Sequence, residues 1–177
     1  LRENLEACHW DGEWFLRAFD DAGNKVGTSA DTEARIWLNT QTWAIIAGLG
    51  TDEQQQTCLG AVDRHLETPW GLTNLDPPYG APDPQVGIIS RFLPGHKENG
   101  AVFSHATAFH LIARALCGDA EGLYRIYRKS LPSGRDQAAY KAEPYVYAQF
   151  CASPASARAG EGAYHWLTGT AAWMFRA

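Results

Sequence analysis

The stretch FLPGHKENGAVFSHATAF places several chemically active side chains at the start of an apolar helical pattern. Lys97, Glu98 and Asn99 follow a Pro-Gly turn, and His105 falls in the first turn of the helix that comes next. Each side chain taken alone has an ordinary structural explanation, such as a carboxylate that is favoured near a helix N-terminus. Together, after a long Pro/Gly-rich loop, they favour a binding site for a polar ligand.

Two further stretches carry polar groups that could contribute to a site. In YHWLTGTAAW, Thr168-Gly169-Thr170 open a helical run, where hydroxyls, free N–H groups and an accessible backbone suit an anion. A threonine N-cap with a glycine kept for packing explains the same letters equally well. In KAEPYVYAQF, Glu143 is a candidate N-cap acid and Gln149 a candidate inward-facing amide.

Helices must position these groups. From Asp31 the pattern becomes helical and predicts a buried helix that ends at Gly48 or Gly50. An amphipathic helix follows, with Thr51 or Asp52 as its N-cap. The two segments would form one helical hairpin.

The rest of the chain extends the same plan. Residues 10–29 read as extended segments around a turn, and residues 68–100 as a long loop that embedded apolar residues keep ordered. A second helical pair is predicted over residues 102–131, and a third from EPYVYAQFC and TGTAAWMFRA. The sequence therefore predicts an all-α fold with a few short strands, in which three hairpins form part of a toroid of paired helices.

Composition narrows the function. The chain of 177 residues has a formal charge of -5 and no Lys/Arg-rich run, which argues against nucleic acid and anionic membrane surfaces as partners. The four cysteines are widely spaced, so we expect buried free thiols and a cytoplasmic location. No metal-binding motif, dinucleotide fingerprint or phosphate loop is present, so we expect neither metal nor cofactor.

Five ordered blocks carry a resemblance to a known family: WDGEWFLRAFDDAGNKVG, LNTQTWAIIAG, PGHKENGAVFSH, EPYVYAQ and WLTGTAAWMFRA. They closely resemble the catalytic domain of glycoside hydrolase family 94, the inverting disaccharide phosphorylases for cellobiose, N,N'-diacetylchitobiose and related sugars. The resemblance covers essentially the whole chain. It implies that residues 1–177 are the C-terminal half of an (α/α)6 barrel, a fragment without the rest of the barrel, the N-terminal β-sandwich and the C-terminal cap.

The resemblance also implies a reaction. Members of the family cleave a β-glycosidic bond with inorganic phosphate as co-substrate, invert the anomeric centre and release an α-sugar 1-phosphate. Such an enzyme needs no general base, because phosphate is already an anionic nucleophile, but it must hold phosphate in line with the anomeric carbon. His105, Thr168 and Gly169 match the phosphate-binding positions of the family. The positions that match sugar binding are Lys97, Glu98 and Gln149.

The general acid of the family is an aspartate in an Asp-Trp-Asn-Asp-like block upstream of the region that this chain resembles. The chain has no such block, and Asp11 belongs to a different one. We therefore expect no catalytic residue here and no activity from the isolated chain. The resemblance leaves room for a homodimer in the full-length enzyme.

Two departures from the family pattern leave open which sugar occupies the acceptor subsite. Ala-Thr-Ala-Phe follows His105 where cellobiose-type members often have Asn-Pro-Trp, and Lys141 stands where an arginine is common. Glucose, N-acetylglucosamine, a sugar acid and a longer β-glucan all fit. Two other functions also fit: the phosphorylase-like domain of a cyclic β-1,2-glucan synthase, and a non-catalytic carbohydrate-binding relic.

Overall fold

Helices supply most of the regular structure in the computed structural model, which describes residues 2–177. The helices are α1 (Arg2–Cys8), α2 (Leu38–Ile46), α3 (Asp52–Leu66), α4 (Ser104–Leu116), α5 (Ala120–Ser130), α6 (Gln137–Tyr140) and α7 (Thr170–Arg176), with 3-10 turns at Gly87–Arg91 and Pro132–Gly134. The strands are β1 (Ala18–Phe19), β2 (Lys25–Val26), β3 (Ile36–Trp37), β4 (Glu67–Thr68), β5 (Gly71–Leu72), β6 (Leu75–Asp76), β7 (Val102–Phe103), β8 (Ala148–Cys151) and β9 (Gly162–His165). The prediction of a mainly helical chain with short strands is confirmed.

Helix α4 lies at the centre of the helical packing and contacts α2, α5 and α7, while α3 packs against α2. The two predicted hairpins, α2 with α3 and α4 with α5, are therefore present. The main core is made of aliphatic side chains from all five of these helices, supplemented by strand residues. Its most buried members include Leu38, Leu66, Leu72, Leu111 and Ile126.

Local sequence signals fix helix α3. Thr51 is its N-cap, the Thr51 hydroxyl accepts a hydrogen bond from the Gln54 N–H, and the Gln54 side chain accepts one from the Thr51 N–H. This reciprocal pair is a capping box. Cys58 and Val62 on the predicted apolar face are fully buried.

Helix α2 is shorter than predicted. The prediction of a helix from Asp31 is wrong up to residue 37. Ile36 and Trp37 form strand β3 instead, which pairs antiparallel with Leu75 and Asp76 of β6. A partner distant in sequence thus overrides local propensity. The helix ends before a left-handed glycine at residue 48, as predicted, but Trp43 is 45% exposed rather than buried.

The third predicted hairpin is wrong in its first member. Residues 148–151 form the central strand of the antiparallel sheet β7-β8-β9 instead of a helix. The buried Tyr140 hydroxyl helps to hold this extended conformation, since it donates to the Val146 carbonyl and accepts from the Ala148 N–H. Glu143 is exposed in a turn and caps no helix there. The second member, α7, is confirmed.

The long loop is ordered through Asn99, which is fully buried. Its amide donates to the carbonyls of Tyr79 and Phe92, at 2.9 and 2.8 Å, and its carbonyl accepts from the Tyr79 N–H at 2.8 Å. Ile88 and Leu93 are exposed, contrary to expectation. The loop is therefore held by backbone-directed hydrogen bonds together with the buried Tyr79 and the partly buried Ile89.

A buried arginine joins three helices. The guanidinium of Arg114 on α4 is 1% exposed and forms ion pairs with Asp63 on α3 and Asp119 before α5. Arg125 on α5 also pairs with Asp63, at 2.8 Å. Such charge-assisted bonds fix the relative positions of the helices that surround α4.

The cysteines are free thiols, as expected, and those at positions 58 and 151 are buried. Cys117 is half-buried, and Cys8 is exposed, against the prediction of burial. None of the helices described between residues 2 and 177 is both long and apolar enough to cross a membrane.

Candidate functional site

The first turn of α4 and the residues before α7 meet where the sequence predicted an anion site. Helix α4 begins directly after strand β7, so His105 stands at its second position. Helix α7 begins at Thr170 and packs against α4. A methyl group added at Gly169 would lie 3.2 Å from Cε1 and 3.6 Å from Nε2 of His105. Close packing thus brings His105 and Gly169 together.

Aromatic rings hold the imidazole of His105. Its ring centroid lies 4.5 Å from that of Phe109 and 6.2 Å from that of Trp173, and these two rings meet edge to face at 4.6 Å. Burial lowers the pKa of His105 below its usual range, so the free site holds a neutral imidazole at pH 7.

The Nε2 atom of His105 is buried and has no hydrogen-bond partner among the described residues. A buried polar atom without a partner is costly and is uncommon in folded proteins. Since the atom lies beside the exposed glycine at position 169, a ligand that reaches this backbone could satisfy it. The arrangement suits an acceptor of hydrogen bonds such as phosphate.

The threonines around Gly169 form a small hydroxyl cluster. The hydroxyls of Thr168 and Thr170 are 2.5 Å apart, and the Thr170 N–H donates to the Thr168 hydroxyl at 3.2 Å. The N-cap of α7 is Gly169, so the alternative prediction of a threonine N-cap is wrong. Thr170 is fully buried here.

Lys97 belongs to a separate cavity of about 530 Å³ between the loop and strands β8 and β9. Its ammonium lies 4.4 Å from the ring centroid of Tyr164 and 5.3 Å from that of Phe92. Lys97 and Tyr164 both have left-handed backbone conformations, with φ values of 47° and 55°. The residues that line this cavity are Arg91, Phe92, Leu93, His96, Lys97, Phe150, Arg158, Ala163 and Tyr164.

The other two predicted sugar residues have weaker support. Glu98 is exposed, and its side chain makes no hydrogen bond or ion pair with the part of the chain that the structure describes. Gln149 is half-buried in β8, next to Phe150 of the cavity wall. Neither residue contacts His105 in the described contacts.

Strand pairing keeps the cavity and the histidine close to each other. Phe150 pairs with Phe103, and Phe103 lies two residues before His105. Two residues of chain and one antiparallel pair place the Cα atoms of Phe150 and His105 within roughly 13 Å. On the other side, Tyr164 precedes Thr168 by four residues. One substrate could therefore contact both the cavity around Lys97 and the imidazole of His105.

Sequence reasoning missed several residues that the fold brings to these places. Tyr164 stands in the same stretch as Thr168, YHWLTGTAAW, so its position in the sequence was a usable signal. Arg91 and Arg158 carried no motif, because the cavity forms between segments 91–97 and 150–164, which are distant in sequence. Among the side chains that the structure describes, no three histidine, cysteine, aspartate or glutamate residues gather as metal ligands would.

Comparison with known proteins supplies an independent finding. The sequence model of the "Glycosyl hydrolase 94 superfamily, catalytic domain" matches residues 1–177. A solabiose phosphorylase of Paenibacillus borealis is 41% identical over 100% of this chain and 23% of its own length. An N,N'-diacetylchitobiose phosphorylase of Vibrio proteolyticus is 34% identical over 99% of this chain and 22% of its own length.

A third relative has a different name. A cyclic beta-(1,2)-glucan synthase of Rhizobium meliloti is 32% identical over 100% of this chain and 6% of its own length. The chain therefore spans less than a quarter of the length of each of these three curated relatives.

Proposed function

Because the chain belongs to the glycosyl hydrolase 94 superfamily, we propose that the natural full-length protein is an inverting disaccharide phosphorylase. It cleaves a β-linked glucose-type disaccharide or oligosaccharide with inorganic phosphate, and it releases an α-sugar 1-phosphate and a shortened acceptor. Two relatives that match the whole chain are named as phosphorylases, which supports this reaction class.

The observation that carries the proposal is the buried, unpartnered Nε2 atom of His105 beside Gly169. We assign His105, Thr168 and Gly169 to phosphate. The imidazole donates a hydrogen bond from Nε2, the threonine hydroxyl donates a second, and the glycine lets phosphate approach the backbone. Hydrogen bonds to a charged group contribute about 1.5–3 kcal/mol each, so this set suffices to orient the nucleophile.

The protonation state of His105 follows from its burial. The free imidazole is neutral at pH 7, because burial lowers its pKa. A bound phosphate anion favours the protonated imidazole and raises that pKa. Phosphate binding then takes up a proton, so the affinity for phosphate rises as the pH falls below neutrality.

We further propose that residues 1–177 are the C-terminal half of the (α/α)6 catalytic barrel, and that the general acid lies in the other half. An apolar groove of about 490 Å³ lies open between α2, α4 and α7. Three large apolar side chains are exposed on these helices: Trp43, which lines the groove, at 45%, Leu116 at 63% and Phe175 at 95%. Exposed apolar surface of this kind indicates a face that another part of the protein covers.

Lys97, Glu98 and Gln149 are proposed to bind the sugar. Lys97 has the strongest support, since it faces the cavity with aromatic rings on which a sugar ring can stack. The exposed carboxylate of Glu98 follows it directly in the chain. Gln149 is assigned on the family match alone, because neighbouring side chains of a strand point to opposite faces and Phe150 is the one that lines the cavity.

A phosphorylase-like domain in a cyclic β-1,2-glucan synthase is the second candidate. The similarity to such a synthase over the whole chain favours it. The two candidates differ in substrate, because the synthase domain should act on β-1,2-glucan chains rather than on a short disaccharide. A non-catalytic relic would instead bind sugars without cleaving them.

The decisive experiment is synthesis by the natural full-length protein from α-glucose 1-phosphate and a panel of acceptors that includes β-1,2-glucan. Formation of a β-linked product with release of phosphate is expected. In phosphorolysis, where phosphate is the substrate, His105→Ala should raise the apparent KM for phosphate at least tenfold.

His65→Ala is the matched control, because His65 is also half-buried against an aromatic ring, Trp14, but lies on α3. An unchanged KM for phosphate in His105→Ala would contradict the phosphate assignment. An absence of any phosphate-dependent turnover, with sugar binding retained, would support the relic.

A further inference from the structure

We propose that the cavity around Lys97 binds the acceptor sugar through an anionic group, so that the preferred acceptor is a sugar carrying a carboxylate or a phosphate ester. This inference rests on the proposed phosphorylase function. It adds the chemical class of the acceptor, which differs from one relative to another.

The charge of the cavity wall is the first argument. Three basic side chains line it, Arg91, Lys97 and Arg158, together with His96. Among the residues that the structure describes, no aspartate or glutamate lines the cavity. The chain as a whole is acidic, with a formal charge of -5, so this local excess of positive charge is not a reflection of composition.

Two of the three cations are uncompensated. Arg158 is paired with Glu161, through its Nε at 2.9 Å and through a second contact, and its charge is largely balanced. Arg91 and Lys97 have no ion pair with any side chain that the structure describes. An anion in the cavity would be the partner that these two side chains lack.

The backbone conformation of Lys97 also supports a ligand site in the cavity. Left-handed backbone at a residue other than glycine costs of order 1–3 kcal/mol, and such strain concentrates at ligand sites. Here two residues with this conformation, Lys97 and Tyr164, contact each other across the cavity, with the ammonium 4.4 Å from the ring centroid. A cation–π contact of about 0.5–1 kcal/mol holds the ammonium in place without neutralising it.

The aromatic residues define the rest of the ligand. Phe92, Phe150 and Tyr164 line the same cavity, and their faces suit the C–H surface of a sugar ring. A volume of about 530 Å³ falls within the range of small-molecule sites. A ring that stacks on these faces and carries one anionic substituent satisfies both the apolar and the cationic parts of the wall.

The test measures binding of glucuronate, glucose 6-phosphate and glucose to the natural full-length protein by titration calorimetry, without added phosphate. One or both anionic sugars should bind at least tenfold more tightly than glucose, and this advantage should shrink in high salt, which screens exposed charges. Arg91→Gln should weaken the anionic sugar about threefold and leave glucose unchanged, because Arg91 is exposed. Arg128→Gln is the matched control, because Arg128 is an exposed arginine on α5 that pairs with no acidic side chain in the described part of the chain.

The His105→Ala variant separates this site from the phosphate site. If the anionic sugar binds through the cavity, its affinity survives His105→Ala and falls in Arg91→Gln. The proposal is overturned if glucose binds as tightly as both anions, or if His105→Ala rather than Arg91→Gln removes the preference. Failure of the phosphorylase function would appear separately, as a lack of phosphate-dependent turnover with every acceptor.

Discussion

Gly169→Ala adds one methyl group to the site, beside the His105 imidazole. The backbone tolerates alanine at this position, since φ is -82° and ψ is 11°. The obstacle is steric, because the new Cβ would lie 3.2 Å from Cε1 and 3.6 Å from Nε2 of His105. The ring cannot retreat freely, because Phe109 and Trp173 pack against it.

The expected effects on stability and on binding differ in size. Alanine is less favourable than glycine at an N-cap by about 1 kcal/mol, and the unfolded chain loses entropy worth about 0.4–1 kcal/mol in the opposite direction. The free energy of unfolding should therefore change by about 1 kcal/mol or less. Phosphate loses close approach to the backbone and one hydrogen bond from the imidazole, which is about 1.5–3 kcal/mol, or roughly a 10- to 100-fold loss of affinity.

The assay is the dissociation constant for phosphate, measured by calorimetry on the natural full-length protein, alongside a urea titration. Gly134→Ala is the matched control, because Gly134 is exposed and a methyl group there meets nothing closer than 4.0 Å. Wild-type phosphate affinity in Gly169→Ala would refute the reasoning. An equal loss in both variants would show that the effect comes from elsewhere.

Three further predictions concern stability. Arg114→Met should lower the free energy of unfolding by about 3 kcal/mol in urea titrations, because it leaves the partly buried Asp119 without a cation and Asp63 with Arg125 alone, whereas Arg125→Met, at a half-exposed site, should cost about 1 kcal/mol. Thr51→Ala should cost about 1 kcal/mol in the same assay through loss of the capping box, with Thr57→Ala inside α3 as its control. Burial and the nearby Arg114 charge lower the pKa of His110 well below its usual range, so the unfolded chain binds more protons and stability should fall as the pH drops below about 6.5. His110→Gln should flatten that dependence in urea titrations between pH 8 and 5, and an unchanged slope would contradict it.

Local signals account for what the sequence predicted correctly. The N-cap threonine and the apolar spacing of α3 act within one or two turns, so they are legible without knowledge of the fold. His105 and Gly169 are 64 positions apart, and no local rule joins them. The family resemblance predicted that pair, and the packing of α7 on α4 provides its physical basis.

Non-local pairing accounts for what was missed. EPYVYAQFC has an apolar spacing that suits a helix, yet β8 is held between β7 and β9, which come from two other parts of the chain. The helix prediction from Asp31 fails at β3 for the same reason, because its partner β6 lies almost 40 positions later. The cationic cavity depends on β8 and β9, so it could not be found before these strands were placed.

The stretch from Lys97 to His105 carries both the proposed sugar-binding lysine and the proposed phosphate-binding histidine. Asn99 binds the loop to the carbonyls of Tyr79 and Phe92, which fixes the backbone that carries Lys97. Strand β7 then pairs with β8, and α4 begins at once. Lys97 and His105 are therefore joined by seven residues, in which Asn99 is held by hydrogen bonds to the loop and β7 by its pairing with β8. Transfer of a glycosyl group to phosphate requires the two substrates to meet in a defined geometry, and a short, pinned connection provides that geometry better than two independent loops would.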